Sequence, residues 1–303
     1  MLAEEKQERF HILLADDGSE HARAALALLE DLPLPAGNPV TVLRVFAATQ
    51  AGDLSALEQA LEQTCARLRL KGWQAHAELL LGSPAEKVVE YAGEQRPDLI
   101  VVGAKGLRAT FGILLGGVAQ QVVEYACCPV LVVRAPYRPL GHALLVTDGS
   151  PTSQLAVAYL GRLPLPQSTH LKVMHVLPPP PIPIVVPNPP YGELIAGTPL
   201  PVSKQEAELR AQEEAEGQAL LDRTVAELQA LGRTAGGLLK RGDAATEILE
   251  YARKQKVDLV ITGSRGLGRI KSWMMGSVSR KLVHYADCSV LVVRGGQAPE
   301  RPG

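Results

Sequence analysis

Aromatic side chains are scarce in this chain: three Phe, two Trp and seven Tyr in 303 residues. Trp73 and Trp273 are too isolated to build a stacking platform, and no basic run interleaves with aromatic residues, so nucleic-acid binding is not expected. An excess of charge of one sign is also missing. Lys and Arg total 31 against 32 Asp and Glu, a formal net charge of -1, so no global field steers the chain to nucleic acid or to an anionic membrane. Any anion site must therefore be local. Cysteines number four (Cys65, Cys127, Cys128 and Cys288), without CxxC spacing or the density of a disulfide scaffold, which suits a reducing compartment and thiols that are buried or idle. Apolar runs reach only about seven residues, far short of a membrane span. The opening MLAEEKQERF is charged and lacks the apolar core of a secretion signal. The default expectation is a cytoplasmic protein.

What the chain does contain is enough apolar material, 46% of its residues, to bury a sizeable core, and a length that suggests about two domains of roughly 150 residues. It also contains itself twice. HILLADDGS (His11 to Ser19) matches HALLVTDGS (His142 to Ser150), DLIVVGAKGL (from Asp98) matches DLVITGSRGL (from Asp258), and CPVLVVR (from Cys128) matches CSVLVVR (from Cys288). Such ordered self-similarity points to duplication. The spacing between the first two blocks grows by about 29 residues in the second copy, and the excess sits in a proline-rich insertion over 178–202. We place one domain at 1–137 and the other at 138–303.

Each copy reads as alternating strands and helices. Apolar, β-branched runs at His11 to Ala15, Val40 to Ala47, Ala75 to Leu81, Leu99 to Gly103 and Val130 to Val133 are separated by helical patterns, giving five βα steps. Ser83-Pro84-Ala85-Glu86 is a helix-start signal, with Ser150-Pro151 and Ser203 to Glu206 alike. Strands this uniformly apolar are buried on both faces, so the fold class is α/β with a parallel sheet and helices on both sides. Ligands of such sheets sit beyond the carboxyl ends of the strands, where strand order reverses.

The stretch GSRGLGRIKSWMMGSVSRK (Gly263 to Lys281) follows a strand and runs into a helix. Glycines there permit unusual φ and remove Cβ atoms that would hold an anion away from the backbone amides, and the helix start adds unpaired N–H groups and the positive end of its dipole. Ser277 has a hydroxyl to donate, and Arg265, Arg269 and Lys271 bring charge. A plain turn with Ser277 as its helix cap explains the same letters. The first copy's loop, GAKGLRATFGILLGGVAQQ, is more apolar, and Gly117 stands where the second copy has Ser277.

Gly-2x-Gly-9x-Gly-Ser after a strand, preceded by a strand ending in Asp-Gly-Ser, resembles the universal stress protein family, here as a tandem of two domains. The resemblance covers nearly the whole chain outside the insertion and the ends. It implies a five-stranded parallel sheet of order 3-2-1-4-5 in each domain, adenine nucleotide alpha hydrolase-like, with an adenine-nucleotide site where strands one and four diverge. Asp148 corresponds to the aspartate near adenine and ribose, and Val176 to the position meeting the adenine edge. Gly263, Arg265, Gly266, Gly276, Ser277 and Val278 fall on the ribose and phosphate loop. In the first domain Asp17, Val45, Gly103, Gly106 and Gly116 hold the equivalent places, but Gly117 lacks the hydroxyl, so weak binding or none is expected there.

The resemblance implies a non-enzymatic stress-response regulator binding ATP, ADP or AMP, with Mg accompanying the nucleotide. Its domains pair about a pseudo-twofold through their last strands, and a homodimer is a further expectation, the protein partner being open. Two other readings are an ATP-cleaving enzyme and an interaction scaffold with vestigial pockets. The chain shows no Walker A loop, no GxGxxG and no paired carboxylates in the loop, so no catalytic residue is assigned. No metal site is expected either: His170 and His175 lack further ligands at metal spacing, and His11 and His142 read as structural. The insertion reads as a stiff surface loop, with a lid or a polyproline II surface as alternatives. The charged helix from Ser203 to about Leu231 reads as a solvated outer helix.

Overall fold

Apolar runs of four to eight residues become the strands, and the amphipathic stretches between them become the covering helices. The computed structural model describes residues 9–46, 54–107, 114–180, 204–265 and 275–294. The first half runs β1 (Ile12–Ala15), α1 (Glu20–Glu30), β2 (Pro39–Phe46), α2 (Leu54–Leu70), β3 (Gln74–Leu81), α3 (Pro84–Gln95), β4 (Leu99–Gly103), α4 (Gly117–Tyr125) and β5 (Val130–Val133). The second repeats it as β6 (His142–Val146), α5 (Pro151–Arg162), β7 (His170–Leu177), α6 (Lys204–Ala230), β8 (Ala235–Arg241), α7 (Ala244–Lys254), β9 (Leu259–Gly263), α8 (Ser277–Tyr285) and β10 (Ser289–Val293).

All ten strands lie in one sheet of order β3-β2-β1-β4-β5-β10-β9-β6-β7-β8. Each half therefore has its five strands in the order 3-2-1-4-5, and pairing is parallel everywhere except at the join, where β5 and β10 run antiparallel with Leu131 opposite Leu291. The strands are buried on both faces because both faces are covered. On one side α1, α2, α5 and α6 bury residues such as Leu29, Leu68, Leu160 and Leu228 against Ile12, Leu14, Leu145 and Ile261. On the other, α3, α4, α7 and α8 bury Val88, Val122, Ile248 and Leu282 against Leu13, Ile100, Leu144 and Val260. Each such aliphatic side chain contributes about 1.5–3 kcal/mol on leaving water.

The join carries more than its ladder. Arg134, just past β5, donates to the carbonyls of Val283 (2.8 Å) and His284 (3.0 Å) at the end of α8. Arg294, just past β10, donates to the Ala126 carbonyl (3.3 Å) at the end of α4. Each half thus supplies a cation to the negative end of the other half's last helix. Burial lowers both guanidinium pKa values, that of Arg294 to about 10. Across the same seam Arg162 pairs with Asp98 (3.0 Å), and the Tyr159 hydroxyl donates to the Asp98 carbonyl (3.0 Å).

The structure shifts some sequence boundaries. β1 begins at Ile12 rather than His11, whose ring instead meets the Thr41 hydroxyl at 3.1 Å. Ser83 caps α3 by position but makes no side-chain capping bond, whereas Ser150 accepts from the amide of Ser153 (3.3 Å). α6 starts at Lys204, and most of the proline-rich insertion, with Ser203, lies outside the described residues. Among the described residues no helix is long and apolar enough to cross a membrane.

Candidate functional site

β6 and β9 are neighbours in the sheet, but the chain leaves their carboxyl ends in opposite directions, to α5 and to α8. The cleft this leaves has a volume of about 280 Å³. Its floor is Val146, Thr147 and Asp148 at the end of β6 and Thr262 and Gly263 at the end of β9. Val176 of β7 and Ala244 and Ile248 of α7 make an apolar wall, and Arg265, Gly276, Ser277 and Val278 form the opposite rim. Seven of the eight residues singled out in the second half therefore meet around one cavity; Gly266, like Arg269 and Lys271, lies outside the described residues.

The start of α8 supplies the cavity's polarity. The first intrahelical bond runs from the Arg280 amide to the Gly276 carbonyl (3.0 Å), and no side chain caps the helix. The amides of Ser277, Val278 and Ser279 before it have no acceptor among the described residues, and they carry the positive end of the helix dipole. The amide of Gly276 itself is not available, because it donates to the Ser264 carbonyl (2.8 Å). The role of Gly276 is to be the extended residue from which the helix starts. That corrects the simpler alternative, since the cap position is Gly276 and Ser277 is the first helical residue.

Gly263 also serves differently from expectation. A Cβ there would lie 2.6 Å from the Thr152 carbonyl carbon and 2.9 Å from the Ser153 amide. The glycine lets α5 press its first turn onto the end of β9 rather than clearing room for an anion. Thr152 and Ser150 hold the next turn in place, both donating hydroxyls to the Arg265 carbonyl. The Asp148 carboxylate accepts the amide of Ser150 (3.0 Å), which fixes the turn below the cavity.

Seven cavity residues escaped the sequence reading, and four of them share a chemistry. Thr147 donates to Ser153 (3.2 Å), Ser279 donates to the Gly263 carbonyl (2.7 Å), and Thr262 lies 3.3 Å from Ser279. In the first half the aligned positions are Asp16, Ala22, Ala119 and Val102, without one hydroxyl among them. Aligning the two copies letter by letter at the strand ends exposes this difference. Ala244 and Ile248 had no such signal, since only the tertiary packing of α7 brings them to the cavity.

In the first half the equivalent strand end is bridged to its loop by a carboxylate. Asp17, the counterpart of Asp148, accepts the Leu107 amide (3.1 Å) and the Ser19 amide (3.0 Å). A Cβ at Gly106 would sit 2.6 Å from Asp17 Oδ2, so that glycine exists to let the carboxylate bridge strand and loop. Gly103 has the same packing duty as Gly263, with the α1 backbone 2.9 Å from an added Cβ, and the amide of Gly116 donates to the Ala104 carbonyl (2.8 Å). Val45 is partly buried beside the α3–α4 core. Gly117 opens α4 with nothing within 4 Å of an added Cβ. Phe111 and Ile113 of the apolar loop lie outside the described residues.

The remaining histidines have structural partners. His175 Nδ1 contacts the Thr147 carbonyl at 2.9 Å, and the His142 and His170 rings stack with centroids 5.4 Å apart. Among the described residues no group of three or more His, Cys, Asp or Glu is arranged to hold a metal ion.

A duplicated, doubly wound α/β domain with an uncapped helix start at the divergence of its first and fourth strands defines the class. The model of the universal stress protein family matches residues 8–134 and again 140–294, and the chain belongs to that family, as a tandem. Universal stress protein YxiE of Bacillus subtilis (strain 168) is 36% identical over 87 residues, 29% of this chain and 59% of that protein. A universal stress protein of Thermus aquaticus is 47% identical over 57 residues, 19% of this chain and 42% of that protein. The chain thus spans about half the length of the curated relatives it matches. A universal stress protein from Archaeoglobus fulgidus DSM 4304 has the same fold over 95% of this chain and all of its own, with a TM-score of 0.63 at 19% identity. A putative universal stress protein from Pseudomonas aeruginosa UCBPP-PA14 does so over 95% and 94%, with the same TM-score at 15% identity.

Proposed function

We propose that the second half binds an adenine nucleotide, ATP, ADP or AMP, and that occupancy of this site regulates a stress response. The observation that carries the reading is the cavity of about 280 Å³ at the start of α8, where three amides without an acceptor among the described residues stand beside Arg265 and the Ser277 hydroxyl. A phosphate placed there meets charge-assisted donors and a favourable dipole. The apolar wall of Val176, Ala244 and Ile248 suits the flat face of a base. Asp148 stands on the floor, between wall and rim, where a ribose would lie.

Binding rather than turnover is the activity we infer, in the cytoplasm. Among the described residues lining the cavity Asp148 is the sole carboxylate, and neither histidine nor cysteine joins it to make an acid–base pair. Magnesium, where present, would arrive on the nucleotide's phosphates. The antiparallel β5–β10 ladder supports pseudo-twofold pairing of the domains within one chain, and a homodimer would then use other surfaces.

Mass spectrometry of small molecules released from the heat-denatured protein, followed by calorimetry with ATP, ADP and AMP with and without Mg²⁺, tests the proposal. A co-purifying adenylate and binding heat weakened by Ser277→Ala are expected. No heat with any of the three at millimolar concentration would overturn it. Sustained phosphate release instead would turn the site into that of an enzyme.

A further inference from the structure

α8 is a helix of nine residues that lines the cavity with its first turn and meets the other half of the molecule with its last. At its start the amides of Ser277, Val278 and Ser279 stand at the cavity with no side chain capping them. At its end the Leu282 carbonyl accepts from the Ala286 amide (3.0 Å), and the next two carbonyls, of Val283 and His284, accept from Nη2 of Arg134 (2.8 and 3.0 Å). Arg134 belongs to the first half. Its Nη1 donates to the Leu114 carbonyl (2.7 Å), so the end of the first half's own loop fixes where the charge sits. Among the described residues its side-chain bonds all go to carbonyls, and its buried Nε has no acceptor.

The grip is uneven between the halves. Among the described residues Arg294, the counterpart of Arg134, makes one bond of 3.3 Å, to the Ala126 carbonyl beyond α4. The closer clamp is therefore on the helix whose first turn lines the cavity. A helix this short is marginal by itself, so the alignment of its first-turn amides depends on what holds its ends. Nine residues at about 1.5 Å each put the guanidinium about 14 Å from those amides. A cation there complements the negative end of the helix dipole and, acting through protein rather than water, still attracts an anion at the other end.

We propose that Arg134 is a positioning residue for the second half's nucleotide site, its charge acting through α8 so that the first half supplies part of the field that draws phosphate into the cavity. The inference rests on the nucleotide reading of that cavity and adds who completes it. Arg134 touches no ligand. A charge acting at this distance gives more to a ligand that carries more phosphate, so its contribution rises from AMP through ADP to ATP, and salt screens it. A residue that merely braced the fold would serve all three nucleotides alike.

Calorimetric titration of the full chain with AMP, ADP and ATP at low and high salt is the test, with circular dichroism to check folding. Arg134→Gln keeps hydrogen-bond donors and removes the charge. It should weaken AMP binding roughly twofold to threefold and ATP binding roughly tenfold at low salt, the gap narrowing at about 0.5 M salt. Arg134→Met, which keeps the stem and leaves no polar group to satisfy, takes its place should the first variant not fold. Arg134→Lys keeps the charge and should stay within about threefold of the unaltered chain for all three nucleotides. Arg162→Met, which breaks the Arg162–Asp98 pair of the same seam (3.0 Å), should leave all three affinities unchanged. Equal losses for AMP and ATP, a loss in Arg134→Lys as large as that in Arg134→Gln, or the same graded loss in Arg162→Met would each overturn the proposal and leave the nucleotide site standing. No binding by the unaltered chain would instead remove the nucleotide reading, and this inference with it.

Discussion

At the end of its first strand one half carries Asp16 and the other Thr147, and the two ends are built on different physics. Asp16 forms a buried ion pair with Arg44 (2.6 Å), accepts from Thr64 (3.1 Å), and anchors the Gly18 amide. Thr147 meets neutral partners: the Ser153 hydroxyl, the Gly149 amide and, through its carbonyl, the His175 ring. The next residue diverges as well, Asp17 tied across to Leu107 and Asp148 on the floor of a cavity. One copy ties its strand end with carboxylates, and the other lines a cavity with hydroxyls.

The largest expected effect lies in the ion pair. Arg44→Ala leaves Asp16 buried without its cation and should cost about 3–5 kcal/mol of stability, whereas His175→Ala at the aligned position gives up one hydrogen bond, about 1 kcal/mol. Chemical denaturation reads both, and equal losses would break the comparison. Next come Gly103→Ala and Gly263→Ala, which force a helix start off the sheet in either half. Each should cost about 1–3 kcal/mol, and a loss confined to Gly263 would mean the two packings differ.

Ser277→Ala should weaken nucleotide binding roughly tenfold or more, the cost of a hydrogen bond to a charged oxygen. The reciprocal Gly117→Ser has open space to enter and should change stability by less than about 0.5 kcal/mol. It should create no binding in the first half, because Asp17 stays tied to the loop; calorimetric titration of a Ser277→Ala/Gly117→Ser double variant checks this.

The smallest effect is acid sensitivity. His21 Nδ1 accepts the Ala135 amide (2.9 Å), and burial lowers its pKa. The unfolded chain therefore binds a proton that the folded one resists, so stability is present above the ordinary histidine value of about 6.5. It is lost as pH falls through that value towards the depressed one. His11 and His284, also lowered by burial, act in the same sense. His21→Thr, the second copy's residue at that position, should flatten the acid limb of the stability profile; an unchanged slope would assign it to the other two.

Much of this was legible in the letters. Uniformly apolar strands such as LIVVG announce burial on both faces, and the repeated blocks announce two copies of one unit. The repeated motifs pointed to seven residues that meet around one cavity. What the letters hid was what each glycine avoids. Gly263 reads like a ligand-clearing glycine, yet the atom it avoids is the Thr152 carbonyl, more than a hundred positions away in sequence. Gly106 likewise answers to Asp17 across the sheet end. The hydroxyls of Thr262 and Ser279 looked like ordinary strand and helix residues until the fold set them side by side.

The antiparallel ladder between β5 and β10 makes the molecule a bar with unlike poles. Because the two parallel half-sheets point opposite ways, the hydroxyl-lined strand end of one copy and the carboxylate-bridged strand end of the other face away from each other. The two ends of the sheet therefore offer different chemistry, hydroxyls around a cavity at one and a carboxylate bridge at the other.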